Sequence, residues 1–98
     1  MQIDYKNKNI KNVCTNASKA KKLYGEEMAA KIQQRIDEIR AAASVKEMMQ
    51  YKIGRCHKLT NNRKGQYAVD LVHPRRLVFE EKKVDGDTVI IIEIVDYH

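Results

Sequence analysis

The sequence has little of several features that mark special classes of protein. Its 98 residues include one proline, two cysteines and no tryptophan. The longest apolar run, Val89–Ile92, is far shorter than the roughly 20 residues that cross a bilayer, and no apolar stretch follows the early lysines, which argues against a secretory signal. Cys14 and Cys56 lie outside any CxxC or Cys/His spacing, which gives no support to a zinc site or a disulfide framework. We therefore expect a cytoplasmic protein with two buried free thiols.

Basic charge is what the sequence does have. Length and composition predict one globular domain covering residues 1–98, with a net charge of +6 and a pI near 9.4. Lys6–Lys22 contains six lysines and no acid, and Lys52–Lys64 contains five basic residues and no acid. Such blocks suit a polyanion such as RNA, DNA or an anionic membrane, although a solvated surface would have the same composition.

Helical periodicity dominates the first half of the chain. It predicts one helix over Ile10–Tyr24, ended by Gly25, and a second that follows at once and packs on the first as a hairpin. The second helix is expected to have Glu26 and Glu27 in its first turn and an apolar stripe from Met28 to Ala43. Ser44 and Glu47 form the S-x-x-E pattern of a capping box that opens a short helix through Met49. The apolar positions that define the two long helices are Ile10, Val13, Cys14, Ala17 and Tyr24 in the first and Met28, Ile32, Ile36, Ile39 and Ala43 in the second.

The second half changes to the alternation that is typical of strands. Tyr67–Leu71 predicts a half-buried strand, His73-Pro74 a tight turn, and Arg76–Glu81 a return strand with Leu77 and Phe79 facing inward. The most apolar segment, Val89–Val95, is expected to lie centrally in the sheet and to be buried on both faces. Asp85-Gly86 predicts a hairpin before it, and Met1–Tyr5 an additional edge strand. Helices followed by strands predict a two-layer α+β fold, in which the helical hairpin packs on a mainly antiparallel sheet.

Four residues could meet on one face of this sheet: His57, Arg76, Tyr97 and His98. Cleavage of RNA by attack of its own 2′-OH needs a proton acceptor, a proton donor and a cation that stabilises the phosphorane. Histidine can take either proton role near neutral pH, and a guanidinium matches phosphate. The alternatives are that His57 is a surface histidine, that Arg76 pairs with Asp70 or Glu80 across the hairpin, and that the terminal residues are frayed.

Three motifs resemble those of a known family. His57–Tyr67 resembles the H-x-L-x-G-x-R-x-G-x-Y segment of HigB-type killer toxins, which belong to the RelE/ParE toxin superfamily. Arg76–Phe79 resembles their R-I-x-F strand, and Glu93–His98 resembles their C-terminal E-I-V-D-Y-H.

The resemblance implies a RelE-like fold with a curved sheet and ribosome-dependent cleavage of messenger RNA without a metal or other cofactor. It also implies neutralisation by a cognate, HigA-like helix-turn-helix antitoxin, contact with DNA only through that antitoxin, and no membrane partner. The catalytic residues that it implies are His57, Arg76, Asp96, Tyr97 and His98, with Tyr97 and His98 sharing the acid–base work.

The cation that stabilises the transition state is the least clear part of this match. Thr60 and Asn61 stand where relatives have lysine and glycine, and Lys58 would point away from His57 on an extended strand. Lys58 and Arg63 remain alternatives for the role. A ParE-like toxin that binds DNA gyrase without catalysis, or a plain nucleic-acid-binding module, would share the same scaffold and charge. The residues expected to bind RNA or the ribosome are Lys52, Arg55, Lys58, Arg63, Lys64 and Arg75.

Overall fold

The computed structural model describes residues 1–82 and 87–96. Within these ranges the chain forms four helices, five strands and two short 3-10 turns, at Ile53–Arg55 and Asn61–Arg63. The predicted Asp85-Gly86 hairpin turn and the residues Tyr97 and His98 lie outside the described residues. The elements are β1 (Gln2–Tyr5), α1 (Lys8–Thr15), α2 (Ala17–Tyr24), α3 (Glu26–Ala41), α4 (Val45–Gln50), β2 (His57–Lys58), β3 (Gln66–Asp70), β4 (Arg75–Glu81) and β5 (Thr88–Asp96).

The five strands form one sheet in the order β1-β5-β4-β3-β2. β1 is parallel to β5 and all other pairs are antiparallel, which confirms both the edge strand near the N-terminus and the mainly antiparallel sheet. The expectation that the last strand is central is wrong, because β4 occupies the middle of the sheet and β5 lies between β4 and β1. The expected burial of β5 on both faces is also incomplete, since Ile90 and Glu93 are half-exposed.

The first predicted helix is two helices in the structure. Asn16 interrupts it with extended backbone (φ −124°, ψ 102°), and its side-chain oxygen accepts a hydrogen bond from the Lys19 amide at 3.2 Å. Asparagine competes with the helix in this way because its short side chain caps a new helix start. The break rotates the apolar face, so that Ala20 is buried while Ala17, expected in the core, is exposed. Gly25 ends α2 as predicted, at φ 90°.

The predicted second helix ends two residues early, at Ala41, so Ala43 is exposed rather than part of the apolar stripe. The capping pattern that follows it is present. Ser44 Oγ accepts from the Glu47 amide at 3.0 Å, while the Glu47 carboxylate accepts from the Ala43 amide at 3.3 Å instead of the Ser44 amide. Two backbone donors at the start of α4 are therefore satisfied by side chains.

The helices cover one side of the sheet, which we call the helix face. Their buried side chains pack with those of alternate strand residues, including Leu77 and Phe79, both of which point into the core as predicted. This arrangement confirms the two-layer α+β fold. The opposite side of the sheet, which we call the open face, contains the other strand residues. Within the described ranges no helix has the length and hydropathy of a membrane span.

Both thiols are free and buried, as predicted. Cys14 belongs to α1, and Cys56 directly precedes β2. Burial raises the pKa of the Cys14 thiol to about 12 and that of Cys56 to about 11, because a thiolate loses its hydration in an apolar environment. Neither thiol has the depressed pKa of a reactive cysteine.

Candidate functional site

The strand register brings the predicted residues His57 and Arg76 to the open face. His57 pairs with Ala68 on β3, and Asp70 pairs with Arg76 on β4. Residues that differ by two along a strand share a face, so His57, Asp70 and Arg76 lie on the same side of the sheet. Their side chains therefore meet where β2, β3 and β4 adjoin, as the sequence predicts.

The His57 ring is held by a defined pair of contacts. Its Nδ1 is 2.8 Å from the backbone oxygen of Arg55, and its Nε2 is 3.4 Å from Nη1 of Arg76. A carbonyl oxygen only accepts hydrogen bonds, so the proton in the first contact belongs to Nδ1. In the neutral ring Nε2 then has the lone pair, which accepts from the Arg76 guanidinium.

Asp70 holds the two arginines on either side of this histidine. Its carboxylate is 2.8 Å from Nε of Arg55 and 3.3 Å from Nε of Arg76. The pairing of Arg76 with Asp70 across the hairpin was one of the alternatives open from the sequence, and the structure has it together with the histidine contact. We call Arg55, His57, Asp70 and Arg76 the arginine corner.

An arginine from the helix layer supports this corner from behind. Arg35 of α3 donates through Nε to the backbone oxygen of Asp70 at 2.6 Å and through Nη1 to Glu38 at 2.8 Å. The same side chain lies against Gly54, where an added Cβ would be 2.8 Å from Arg35 Nε. Sequence reasoning missed Arg35, although its position seven residues after Met28 places it beside the buried stripe.

The turn before β2 has unusual backbone. Lys52, Gly54 and Arg55 have φ angles of 53°, 59° and 56°, a region that residues other than glycine rarely adopt. This conformation presents the Arg55 carbonyl to the His57 ring. The turn therefore sets the orientation of the histidine.

A second cluster crosses the open face between the corner and β5. Arg63 donates to the Gln66 side chain at 3.0 Å and forms a short ion pair with Glu93 of β5. Because Gln66 is on β3 and Glu93 is on β5, the Arg63 side chain lies across the face between them. Ala68 and Val78, which also face this side, are fully buried. Lys58 pairs with Tyr67 and so belongs to the helix face, as predicted.

The remaining predicted residues are distributed around the corner. Arg75 forms an ion pair with Asp96 at 3.2 Å, and its guanidinium lies 5.1 Å from the centre of the Tyr24 ring. These contacts tie the last described residue of β5 to β4 and α2. Lys52 and Lys64 are both exposed.

The described part of the site has a fixed histidine, fixed guanidinium groups and no cluster of three metal-ligating side chains. A lone pair on an imidazole beside a guanidinium fork can accept a proton next to a bound phosphate. Phosphate binding and proton transfer are therefore what this geometry can provide.

Several solved structures resemble the whole chain. A YoeB/ParE toxin from Agrobacterium tumefaciens is 13% identical with a TM-score of 0.67, and the match covers 100% of both chains. The YoeB-YefM complex from Staphylococcus aureus is 21% identical with a TM-score of 0.64. The YoeB dimer of the same organism is 22% identical with a TM-score of 0.63. Each of these two covers 100% of this chain and 97% of the other.

The fold is that of YoeB- and ParE-type toxins. This confirms the RelE-like fold that the motifs implied, with neighbours named YoeB and ParE rather than HigB. Neither a protein-family model nor a curated protein matches the chain significantly.

Proposed function

We propose that this protein is the toxin of a toxin–antitoxin pair and that it cleaves messenger RNA on the ribosome. The observation that carries the proposal is the fixed His57 ring, whose Nε2 faces Arg76 at 3.4 Å on the open face of a toxin fold. The HigB-type motifs at His57–Tyr67, Arg76–Phe79 and Glu93–His98 support the same reading.

The reaction is an internal transesterification. His57 accepts the proton of the 2′-OH through Nε2, the 2′-oxygen forms a bond to phosphorus, and the bond from phosphorus to the 5′-oxygen breaks. Tyr97 or His98 gives a proton to the departing 5′-oxygen, while Arg76 binds the phosphate oxygens. The products are a 2′,3′-cyclic phosphate and a free 5′-OH, and no metal or other cofactor takes part. Asp96 is proposed to hold the end of β5 through Arg75.

Arg63 is proposed as the cation that replaces the family lysine at Thr60. Lys58 is on the helix face, whereas the Arg63 guanidinium lies on the open face with His57. Its ion pair with Glu93 would open so that the guanidinium stabilises the phosphorane instead. Lys52, Arg55 and Lys64 are proposed to contact the RNA or ribosome around this centre.

Ribosome dependence is part of the proposal because the arginines of the site are already paired with acids. A site of this kind gains most from RNA that is held in a reactive geometry. The proposed inhibitor is a cognate antitoxin, of the helix-turn-helix kind that HigB-type toxins have. The solved complex of YoeB with YefM supports an antitoxin partner in general.

The decisive experiment is primer extension on messenger RNA after brief induction of the protein. We expect new 5′ ends within translated codons for the wild type and their loss in His57→Gln and His98→Ala. Lys22→Gln is the control, because Lys22 is exposed on α2 and outside the arginine corner, and this change should leave the cuts unchanged. Arg63→Gln should reduce cutting at least tenfold more than Lys58→Gln. Intact transcripts in arrested wild-type cells would overturn the proposal.

A second candidate function is binding of DNA gyrase without catalysis. It is favoured by the neighbour described as a YoeB/ParE toxin, which has the highest of the TM-scores above. This function predicts growth arrest with intact transcripts and altered plasmid supercoiling, and unchanged toxicity in His57→Gln. The primer-extension experiment therefore separates the two candidates.

A further inference from the structure

A cavity lies on the open face, and none of the four residues of the arginine corner lines it. It has a volume of about 1020 Å³. Its floor is one row across the sheet, in which Asp4, Ile90, Glu80 and Gln66 are successive partners on β1, β5, β4 and β3. The end of β1 and the first turns of α1 form its wall.

Three lysines line this wall: Lys6, Lys8 and Lys11. All three are exposed, and in residues 1–82 and 87–96 none forms an ion pair or a side-chain hydrogen bond. We call these residues the lysine rim. They come from the acid-free block Lys6–Lys22, and the proposed catalytic centre does not include them.

The stability of the fold does not explain why the three lysines of the lysine rim lie together. Lys8 and Lys11 lie in the first turn of α1, which contains no acid. The exposed amides of a helix start carry partial positive charge, so cations there destabilise the helix. The Lys6 amide donates to the Ile91 carbonyl at 2.9 Å, which holds the junction of β1 and α1 against the sheet. The lysines are therefore kept together at a cavity although no ion pair among the described residues offsets their mutual repulsion.

The arginine corner lies on the same face of the sheet as the cavity. Arg76 and Glu80 are four residues apart on β4 and face the same side, a separation of about 13 Å along the strand. Arg63 lies between them, because its guanidinium binds Gln66 of the cavity floor. Arg63 therefore lies between the arginine corner and the floor of the cavity, on the same face of the sheet.

The floor suits nucleotides better than a simple anion. Ile90 offers half-exposed apolar surface, and Gln66 and Glu80 offer side chains that can bond to the edges of unpaired bases. The negative charge of Asp4 is compensated by Lys82 at 3.2 Å. Acidic groups on the floor disfavour an acidic peptide, whereas the phosphates of an RNA strand would lie at the lysine rim and its bases on the floor.

We propose that this cavity is a second RNA subsite, which binds nucleotides that flank the cleaved bond. The inference rests on the proposed function, because the cavity shares the open face with the proposed catalytic corner. The ligand is single-stranded RNA, whose backbone is held by Lys6, Lys8 and Lys11 and whose bases contact the row of Gln66, Glu80 and Ile90.

The test uses binding of 2′-O-methyl oligoribonucleotides, which cannot be cleaved, measured by fluorescence anisotropy with oligonucleotides of about four and about twelve nucleotides. The variant is Lys8→Gln/Lys11→Gln. Its matched control is Lys22→Gln/Lys46→Gln, which removes the same charge from two exposed lysines outside the cavity. Wild-type and variant proteins are also assayed for cleavage of messenger RNA on ribosomes.

For the long oligonucleotide we expect the rim variant to lose affinity roughly tenfold and the control less than twofold. The slope of log affinity against log salt should fall by about 1.4 in the rim variant, since two phosphate contacts are lost. The short oligonucleotide, placed at the corner, should bind equally to both variants.

Equal losses in both variants would mean general charge attraction and would overturn the subsite, and so would unchanged binding in both. If the rim variant lost only its neutralisation by an antitoxin, with RNA binding unchanged, the occupant would be a peptide and the proposal would be wrong. Failure of the proposed function has a different signature, because wild-type protein would then leave messenger RNA intact on ribosomes whatever the binding data show.

Discussion

The arginine corner and the lysine rim are both basic, yet their charges are held in opposite ways. Each of the six arginines of the chain forms an ion pair, whereas among the lysines in the described ranges only Lys21 and Lys82 do. A guanidinium presents several donors in a rigid plane, while an ammonium is a hydrated point charge on a flexible stem. The arginine pairs are Arg35–Glu38, Arg40–Asp37, Arg55–Asp70, Arg63–Glu93, Arg75–Asp96 and Arg76–Asp70.

The difference suggests that the arginine corner and the lysine rim have different functions on the open face. Acid partners keep the corner arginines in place before RNA arrives, which suits a site where geometry decides the rate. Unpaired lysines remain mobile and attract a polyanion from a distance. Four predictions test this contrast, from the largest expected effect to the smallest.

Arg76→Lys should reduce cleavage about 100-fold or more, although the charge is kept. One guanidinium contacts both Asp70 and His57 in the structure, and an ammonium cannot reproduce both contacts in one plane. The measurement is single-turnover cleavage on programmed ribosomes. Lys11→Arg is the control at the rim and should change the rate less than twofold. A fully active Arg76→Lys would show that the corner needs charge alone.

The Cys56 thiol, directly before His57, should react with a thiol reagent at pH 8 about 100-fold more slowly than in the unfolded chain. Its pKa is raised from 9.0 to about 11 by burial, so its thiolate fraction falls by that factor. Alkylation followed by mass spectrometry, in Cys14→Ala protein, measures this rate. Rapid alkylation of Cys56 in folded protein would mean that water and the reagent reach the core next to His57.

Gly54→Ala should lower the free energy of unfolding by about 2 kcal/mol. The backbone there has φ 59°, and the new Cβ would meet Arg35, whose side chain is fixed by Asp70 and Glu38. Urea denaturation measures the effect. In the Gly54→Ala/Arg35→Met double variant, the loss in free energy of unfolding should be smaller than the sum of the two single losses. The reason is that the Arg35 side chain, which the new Cβ would meet, is no longer present. Strict additivity would indicate that Arg35 does not brace the turn.

Lys8→Glu should raise the free energy of unfolding by about 0.5 kcal/mol, because an acid replaces a cation at the start of α1. Lys22→Glu is the matched control. Lys22 lies in the last turn of α2, where a cation is favourable, so this change should destabilise by a similar amount. Thermal unfolding at low salt measures both. If Lys8→Glu were the destabilising change, the rim lysine would have a structural role.

The sequence predicted much of this molecule because its local patterns are strong. The alternation of apolar and polar residues predicted β3 and β4, and helical spacing predicted the buried stripe of α3. The S-x-x-E pattern predicted the start of α4. Asn16 carried a capping signal that broke the first helix, but the apolar spacing around it suggested continuity. The preference of a segment for helix or strand depends on neighbouring residues, so errors of this kind concern only where a single helix begins or ends.

The partners of each charge depended on tertiary structure. Arg63 and Glu93 are 30 residues apart, and Arg35 and Asp70 are 35 apart, so no local pattern joins them. Strand register aligned His57 with Arg76, and an irregularity in register between β4 and β5 brought Glu93 opposite Val78. The sequence by itself determined which segments are helices or strands and where basic residues concentrate. Only the packed sheet decided which of those charges are fixed by acids and which remain available, because that depends on distances between strands that are remote in the chain.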